Sequence, residues 1–208
     1  KYKITPIVTA ESAILNVYQR KPPAPISIKS TTPVYVSEKA NLDKAANGVA
    51  SAAFGFAGQK CSACSRVYVH GSVKDEFVSK LIENTRGLKI GDPTKRESYV
   101  SPLINNDAFE KFRKYSELSS TDGKIILGGK VLTGEGQQNG YYVEPTIVES
   151  LPSDHEIVLE ELFIPILTIL EVNSIQEALT EANSSEYGLT AGIFSEDQNE
   201  IQEFFNRI

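Results

Sequence analysis

From residue 33 to residue 208 the chain alternates short apolar runs of strand length with longer runs of helical period, and that alternation restricts it to a layered α/β fold. Strand-like runs fall at 33–37, 67–70, 124–127, 142–148, 166–172 and 189–194. Helix-like runs occupy 41–56, 72–86, 106–119 and 174–183, with a last one after residue 195. Ser174 with Glu177, and Ser195 with Gln198, read as capping boxes, and Ser72 is followed three residues on by Asp75. Strands separated by helices predict a sheet that is at least partly parallel. Upstream, residues 9–20 predict a short helix with Thr9 as its N-cap, stopped by Lys21-Pro22-Pro23-Ala24-Pro25.

Composition removes several classes of function. The 208 residues are 40% hydrophobic, enough for one domain with a substantial core. A net charge of −6 without a basic run argues against nucleic acid as a partner. No stretch approaches the roughly 20 apolar residues of a membrane span, and no signal-peptide core opens the chain. Two cysteines do not make a secreted disulfide framework, so a cytoplasmic protein without a membrane partner is expected.

Chemistry concentrates in Gly55-Phe56-Ala57-Gly58-Gln59-Lys60-Cys61-Ser62-Ala63-Cys64-Ser65-Arg66, a glycine-punctuated connection between a helix-like and a strand-like run. A cysteine on such a turn can present its sulfur to a cleft, as thiolate chemistry requires. Cys61 is the candidate, and Cys64 reads as a packing residue on the incoming strand. Cys61 to Cys64 is also a C-x-x-C, which by itself suits a redox pair or half of a zinc site. A zinc site needs two more ligands, and only His70 and His155 are available, at no recognised spacing, so no metal is expected. Glu160 and Glu161, just before an apolar strand, read by themselves as a solvated strand entry. Gly134, Gly136 and Gly140 lie between strands with no helix following, so they read as a hairpin rather than a phosphate loop.

The nucleophile string resembles that of the NAD(P)-dependent aldehyde dehydrogenases, and most of all the 1-pyrroline-5-carboxylate dehydrogenase branch, which oxidises glutamate semialdehyde. The resemblance continues through residues 37–43, Lys89-Ile90-Gly91-Asp92-Pro93, 140–146, Glu160 to Pro165, and 183–189. It implies a three-layer αβα catalytic domain with a mostly parallel sheet, Cys61 as catalytic nucleophile, and Ser62 as a contact to the substrate carboxylate. It further implies Glu161 on the nicotinamide ribose, Phe163 against the cofactor, NAD or NADP as the cofactor, an aldehyde of proline catabolism as the substrate, and a homo-oligomer.

Measured against that family, three features depart. Ile164 stands where the family has glycine, and Ser27 stands where it has the glutamate that serves as general base. Residues 1–32 read as an arm formed from the degraded tail of the cofactor domain, and residues 33–208 as the catalytic domain, truncated at its C-terminus. The expectation is therefore weak NAD(P) binding and very slow turnover by this chain alone. Two alternatives stand beside it, a non-catalytic paralogue acting as an interaction subunit and a C-x-x-C thiol protein.

Overall fold

The computed structural model describes residues 7–9, 12–16, 31–134, 136–185 and 188–208. One sheet of eight strands organises them: β1 (Ile7–Thr9), β2 (Ser12–Asn16), β3 (Thr32–Val36), β4 (Cys64–His70), β5 (Lys124–Leu127), β6 (Thr146–Glu149), β7 (Ile166–Val172) and β8 (Thr190–Phe194). Their order across the sheet is β1-β2-β8-β3-β4-β7-β6-β5. The five strands from β8 to β6 run parallel, and the flanking β2 and β5 pair antiparallel to their neighbours.

Among the described residues six helices accompany these strands: α1 (Leu42–Phe54), α2 (Lys74–Arg86), α3 (Asn106–Asp122), α4 (Glu156–Leu159), α5 (Ile175–Asn183) and α6 (Gln198–Arg207). The crossover β3-α1-β4 steps one way along the sheet, whereas β7-α5-β8 steps back past β4 and β3. Right-handed connections therefore place α1 and α5 on opposite faces, which makes three layers. Alternation along β4 agrees with this. Arg66 and Tyr68 share one face, and an Arg66 Nη donates to the Ala182 carbonyl of α5 at 3.0 Å. The core fills both interfaces, with Val36, Val49, Phe54, Phe77, Leu81, Ile147, Leu167 and Leu179 wholly buried.

The N-terminal helix expected over 9–20 is not formed. Thr9 ends β1, and Ser12–Asn16 is β2, which pairs antiparallel with β8 in the register Ala13 to Ile193 and Asn16 to Thr190. Ile7, Val8, Ile14 and Leu15 suit a strand, and long-range pairing with β8 overrides the local helical pattern. The strand expected over 142–148 shrinks to Thr146–Glu149. Pro145 cannot donate to a ladder, and residues before it make only isolated bridges, Leu103 with Tyr141 and Val131 with Val143. Those bridges and the antiparallel β5-β6 pair agree with the hairpin reading of residues 128–140.

Two helix caps also differ from expectation. Asp197, not Ser195, caps α6, accepting from the Asn199 and Glu200 amides, while Ser195 donates to a Glu200 carboxylate oxygen at 2.6 Å. Before α2, residues Gly71–Val73 form a short 3₁₀ turn whose Ser72 amide donates to His70 Nδ1 at 3.3 Å. Ser174 does cap α5, but Glu177 reaches the Asn173 amide, one residue earlier than a capping box requires.

Candidate active site

Helix α1 ends at Phe54, and the chain then takes a turn of the opposite hand. Phe56, Ala57 and Gly58 have φ of 56°, 53° and 69°, three consecutive residues in the left-handed region. For Phe56 and Ala57 that conformation costs roughly 1–2 kcal/mol each, so the surroundings must enforce it. Gly58 is glycine for a second reason. A Cβ there would lie 2.7 Å from the Ile164 carbonyl oxygen, too close for any side chain.

Gln59 ties this turn down. Its amide Nε2 donates to the Phe56 carbonyl at 3.1 Å and to the Pro102 carbonyl at 3.4 Å, and its Oε1 accepts from the Ile104 amide at 2.9 Å. The next four residues form a β-turn closed by the Ala63 amide donating to the Lys60 carbonyl at 3.0 Å, with Cys61 and Ser62 exposed at its tip. The chain then enters β4 with Cys64. The loop thus lies at the amino end of β4, beside the segment that leads into β7.

That second segment mirrors the first. After α4, Glu160, Glu161 and Leu162 lead to Phe163, whose φ of 61° turns its ring outward, 42% exposed. Lys111 of α3 donates to the Leu162 carbonyl at 3.1 Å and steadies the approach. One cleft is lined by Gly58, Lys60, Cys64, Ser65, Glu161, Phe163 and Ile164. It joins the cysteine turn to the Glu161–Phe163 segment. Ile164, in the family's glycine position, is itself buried in the core and presents its carbonyl to Gly58.

The two thiols have opposite surroundings. Cys61 is exposed and Cys64 is buried. Burial pushes the Cys64 thiol up to about 12, against partial opposition from the backbone and the charge of Arg66; the neutral S–H donates to the Arg66 carbonyl at 3.7 Å. Arg66 is fully buried, and burial lowers its pKa, with Tyr68 the main opposing influence. One Nη donates to the Tyr68 hydroxyl at 3.2 Å and the other to the last turn of α5, where carbonyl dipoles favour a cation.

Cys61, Ser62, Glu161 and Phe163 thus lie on two turns that meet through Gly58 and Ile164. Ser27 lies outside the described residues. Two elements escaped the sequence reading, Gln59 as a brace and the 102–104 loop that it grips. The only signal for the first was a glutamine between a glycine and the cysteine, where a solvent-facing residue is the default. Glu161, with one carboxylate oxygen buried, and the exposed ring of Phe163 line one cleft, and a carboxylate and a ring are groups that could meet the ribose and nicotinamide end of a dinucleotide. Among the described residues no group of His, Cys, Asp and Glu is arranged to hold a metal ion. No helix there is long and apolar enough to cross a membrane.

Known proteins share this arrangement of sequence and fold. The 1-pyrroline-5-carboxylate dehydrogenase 1 of Halalkalibacterium halodurans is 38% identical over 171 residues, covering 82% of this chain and 32% of that protein. The 1-pyrroline-5-carboxylate dehydrogenase of Staphylococcus aureus is 40% identical over 165 residues, covering 79% of this chain and 31% of its own length. Among solved structures, a 1-pyrroline-5-carboxylate dehydrogenase from Thermus with bound NAD superposes with a TM-score of 0.80 at 32% identity, over 86% of this chain and 34% of that one. A betaine aldehyde dehydrogenase from Staphylococcus aureus in complex with NAD+ gives 0.82 at 30% identity, over 85% of this chain and 35% of its own. The chain spans about a third of the length of these relatives. Residues 22–208 match the aldehyde dehydrogenase family, and this chain belongs to it.

Proposed function

We propose that this chain carries the thiol chemistry of an NAD(P)-dependent oxidation of glutamate semialdehyde to glutamate, with Cys61 as the nucleophile. The observation that supports this most directly is an exposed Cys61 on the β-turn that follows the strained, braced turn at 56–58, beside the cleft lined by Glu161 and Phe163. The names of the relatives support the choice of aldehyde.

The Cys61 thiol gives its proton to solvent, and the thiolate attacks the aldehyde carbon. A new S–C bond forms while the carbonyl pair moves onto oxygen, where the backbone N–H of Cys61 offers a hydrogen bond. Ser62, adjacent and exposed, offers its hydroxyl to the far carboxylate of the substrate. A nicotinamide held by Glu161 and Phe163 would accept the hydride that turns this adduct into a thioester for water to cleave. Residues 33–208 act in this reading as the catalytic domain of a cytoplasmic homo-oligomer. A C-x-x-C redox pair is disfavoured because Cys64 is buried with its thiol held up at about 12.

The test combines the mass of the chain saturated with glutamate semialdehyde and the rate of NADH formation, for the parent and for Cys61→Ala. A semialdehyde adduct that maps to Cys61 and disappears in the variant supports the reading. Turnover by this chain is expected well below about 1 s⁻¹, the low end of typical enzymes. NADH formation that survives Cys61→Ala, or a chain that forms no adduct, overturns it.

A further inference from the structure

We infer that Gln59 is a positioning residue, whose side-chain amide holds the left-handed turn at 56–58 closed and so fixes where the Cys61 sulfur stands. The inference rests on Cys61 being the nucleophile. Its basis is the economy of the Gln59 bonds. The Phe56 carbonyl accepts from both the backbone N–H and the side-chain Nε2 of Gln59, each at 3.1 Å, so one residue closes the turn twice. The same amide spans to the Pro102 carbonyl and the Ile104 N–H, so the turn is anchored on a loop that lies far from it in sequence.

Nothing local favours this turn. Phe56 is 69% exposed, so burial of its ring does not enforce a positive φ, and Ala57 has no side-chain group with which to hold one. The bonds of Gln59, the burial of Ala57 in the core and the seat of Gly58 on Ile164 are the constraints. Cys61 follows two residues later on a tip closed by a single backbone bond, so any relaxation at 56–58 is carried directly to its sulfur and its N–H. Ile104, 79% exposed on the loop that Gln59 grips, marks that loop as the outer support of the site.

The experiment uses p-nitrophenyl acetate as an acyl donor. The Cys61 thiolate displaces p-nitrophenolate and keeps the acetyl group as a thioester, and peptide mapping locates that acetyl. Gln59→Leu should acylate about tenfold more slowly or worse, since small misplacements of a reacting group are costly. Gln59→Glu keeps the acceptor for the Ile104 amide but loses donation to both carbonyls, and should be slowed to a similar degree while preserving size and polarity if the leucine variant folds poorly. Ala57→Gly accepts a positive φ without strain, so adding it to Gln59→Leu should return the rate to within about threefold of the parent. A structural loss elsewhere would not respond to that glycine. A parent that is acylated at Cys61 with both Gln59 variants equally fast overturns this inference alone, as does a slow Gln59→Leu that Ala57→Gly fails to rescue. A parent never acylated at Cys61 overturns the nucleophile reading and this inference with it.

Discussion

The α-carbon of Gly58 is seated on the carbonyl of Ile164, so that a side chain at 58 would meet that oxygen at 2.7 Å. The contact joins the cysteine turn to the Glu161–Phe163 segment and holds both to their unusual backbone conformations.

Gly58→Ala should therefore be among the most damaging single changes in the chain. It combines a positive φ with a clash against backbone, which cannot rotate away as a side chain would. A loss of about 2 kcal/mol or more is expected. Urea unfolding of parent and variant measures it, and equal midpoints would show that the two turns slide freely past one another.

Cys61 and Cys64 should separate cleanly by reactivity. At pH 8 an aromatic disulfide reagent should modify Cys61 promptly and Cys64 only after denaturation, because burial holds the Cys64 thiol up at about 12. The sign for stability follows. A thiol whose pKa is raised by folding contributes its stabilisation fully below its unfolded value of about 8.5, and loses it as pH rises through about 12. Cys64→Ala should accordingly flatten the alkaline fall in stability between those limits. Prompt labelling of Cys64 in the folded chain would contradict the assignment.

Most of the architecture was legible in the sequence because its signals are local. The β-branched run that forms β7 (Ile166–Val172) is bounded as expected, and the helix ahead of the cysteine has the alanine-rich pattern that α1 shows. The hidden parts depend on distant partners. Ser12–Asn16 becomes a strand because β8 offers an edge, with Ile7–Thr9 pairing on β2 in turn, and Gln59 becomes a brace only because residues 102–104 pass alongside it. The general rule for open α/β sheets looks for a ligand crevice at the carboxyl ends of the strands. Here the cysteine turn and the Glu161 segment occupy the amino ends of β4 and β7, so motif and not topology located the site.

Acid should weaken the end of the fold that Asp197 organises. Its carboxylate accepts from Lys39 at 2.7 Å and from the Asn199 and Glu200 amides, and these hold its pKa below the usual carboxylate range, the Lys39 bond contributing most. A depressed carboxyl contributes stability above its unfolded value of about 3.9, and this is lost as pH falls through the folded value. Asp197→Asn should therefore narrow the difference in urea midpoint between pH 6 and pH 3. An unchanged difference would mean that this cap and ion pair contribute nothing measurable.

Dinucleotide binding should be weak. In the proposed reading Glu161 and Phe163 address only the ribose and nicotinamide end, and among the described residues no G-x-G-x-x-G turn opens a helix to receive the phosphates. Calorimetry with NAD⁺ and NADP⁺ should find dissociation constants above the low-micromolar range, weakened further by Glu161→Ala. Tight binding that Glu161→Ala leaves intact would place the cofactor elsewhere.

The bond between Arg66 and the Ala182 carbonyl has a consequence for how the chain is made. The two residues are 116 positions apart, so a ribosome that has finished β4 must add all the sequence through α5 before that guanidinium meets its helix end. Until then a cation destined for a dry interior faces water, and the early part of the sheet cannot close over it. Nascent chains arrested before α5 should accordingly remain open to protease at β4, and those extended past residue 183 should become resistant there. Arg66, five positions after Cys61, in effect delays completion of the candidate site until α5 has been made.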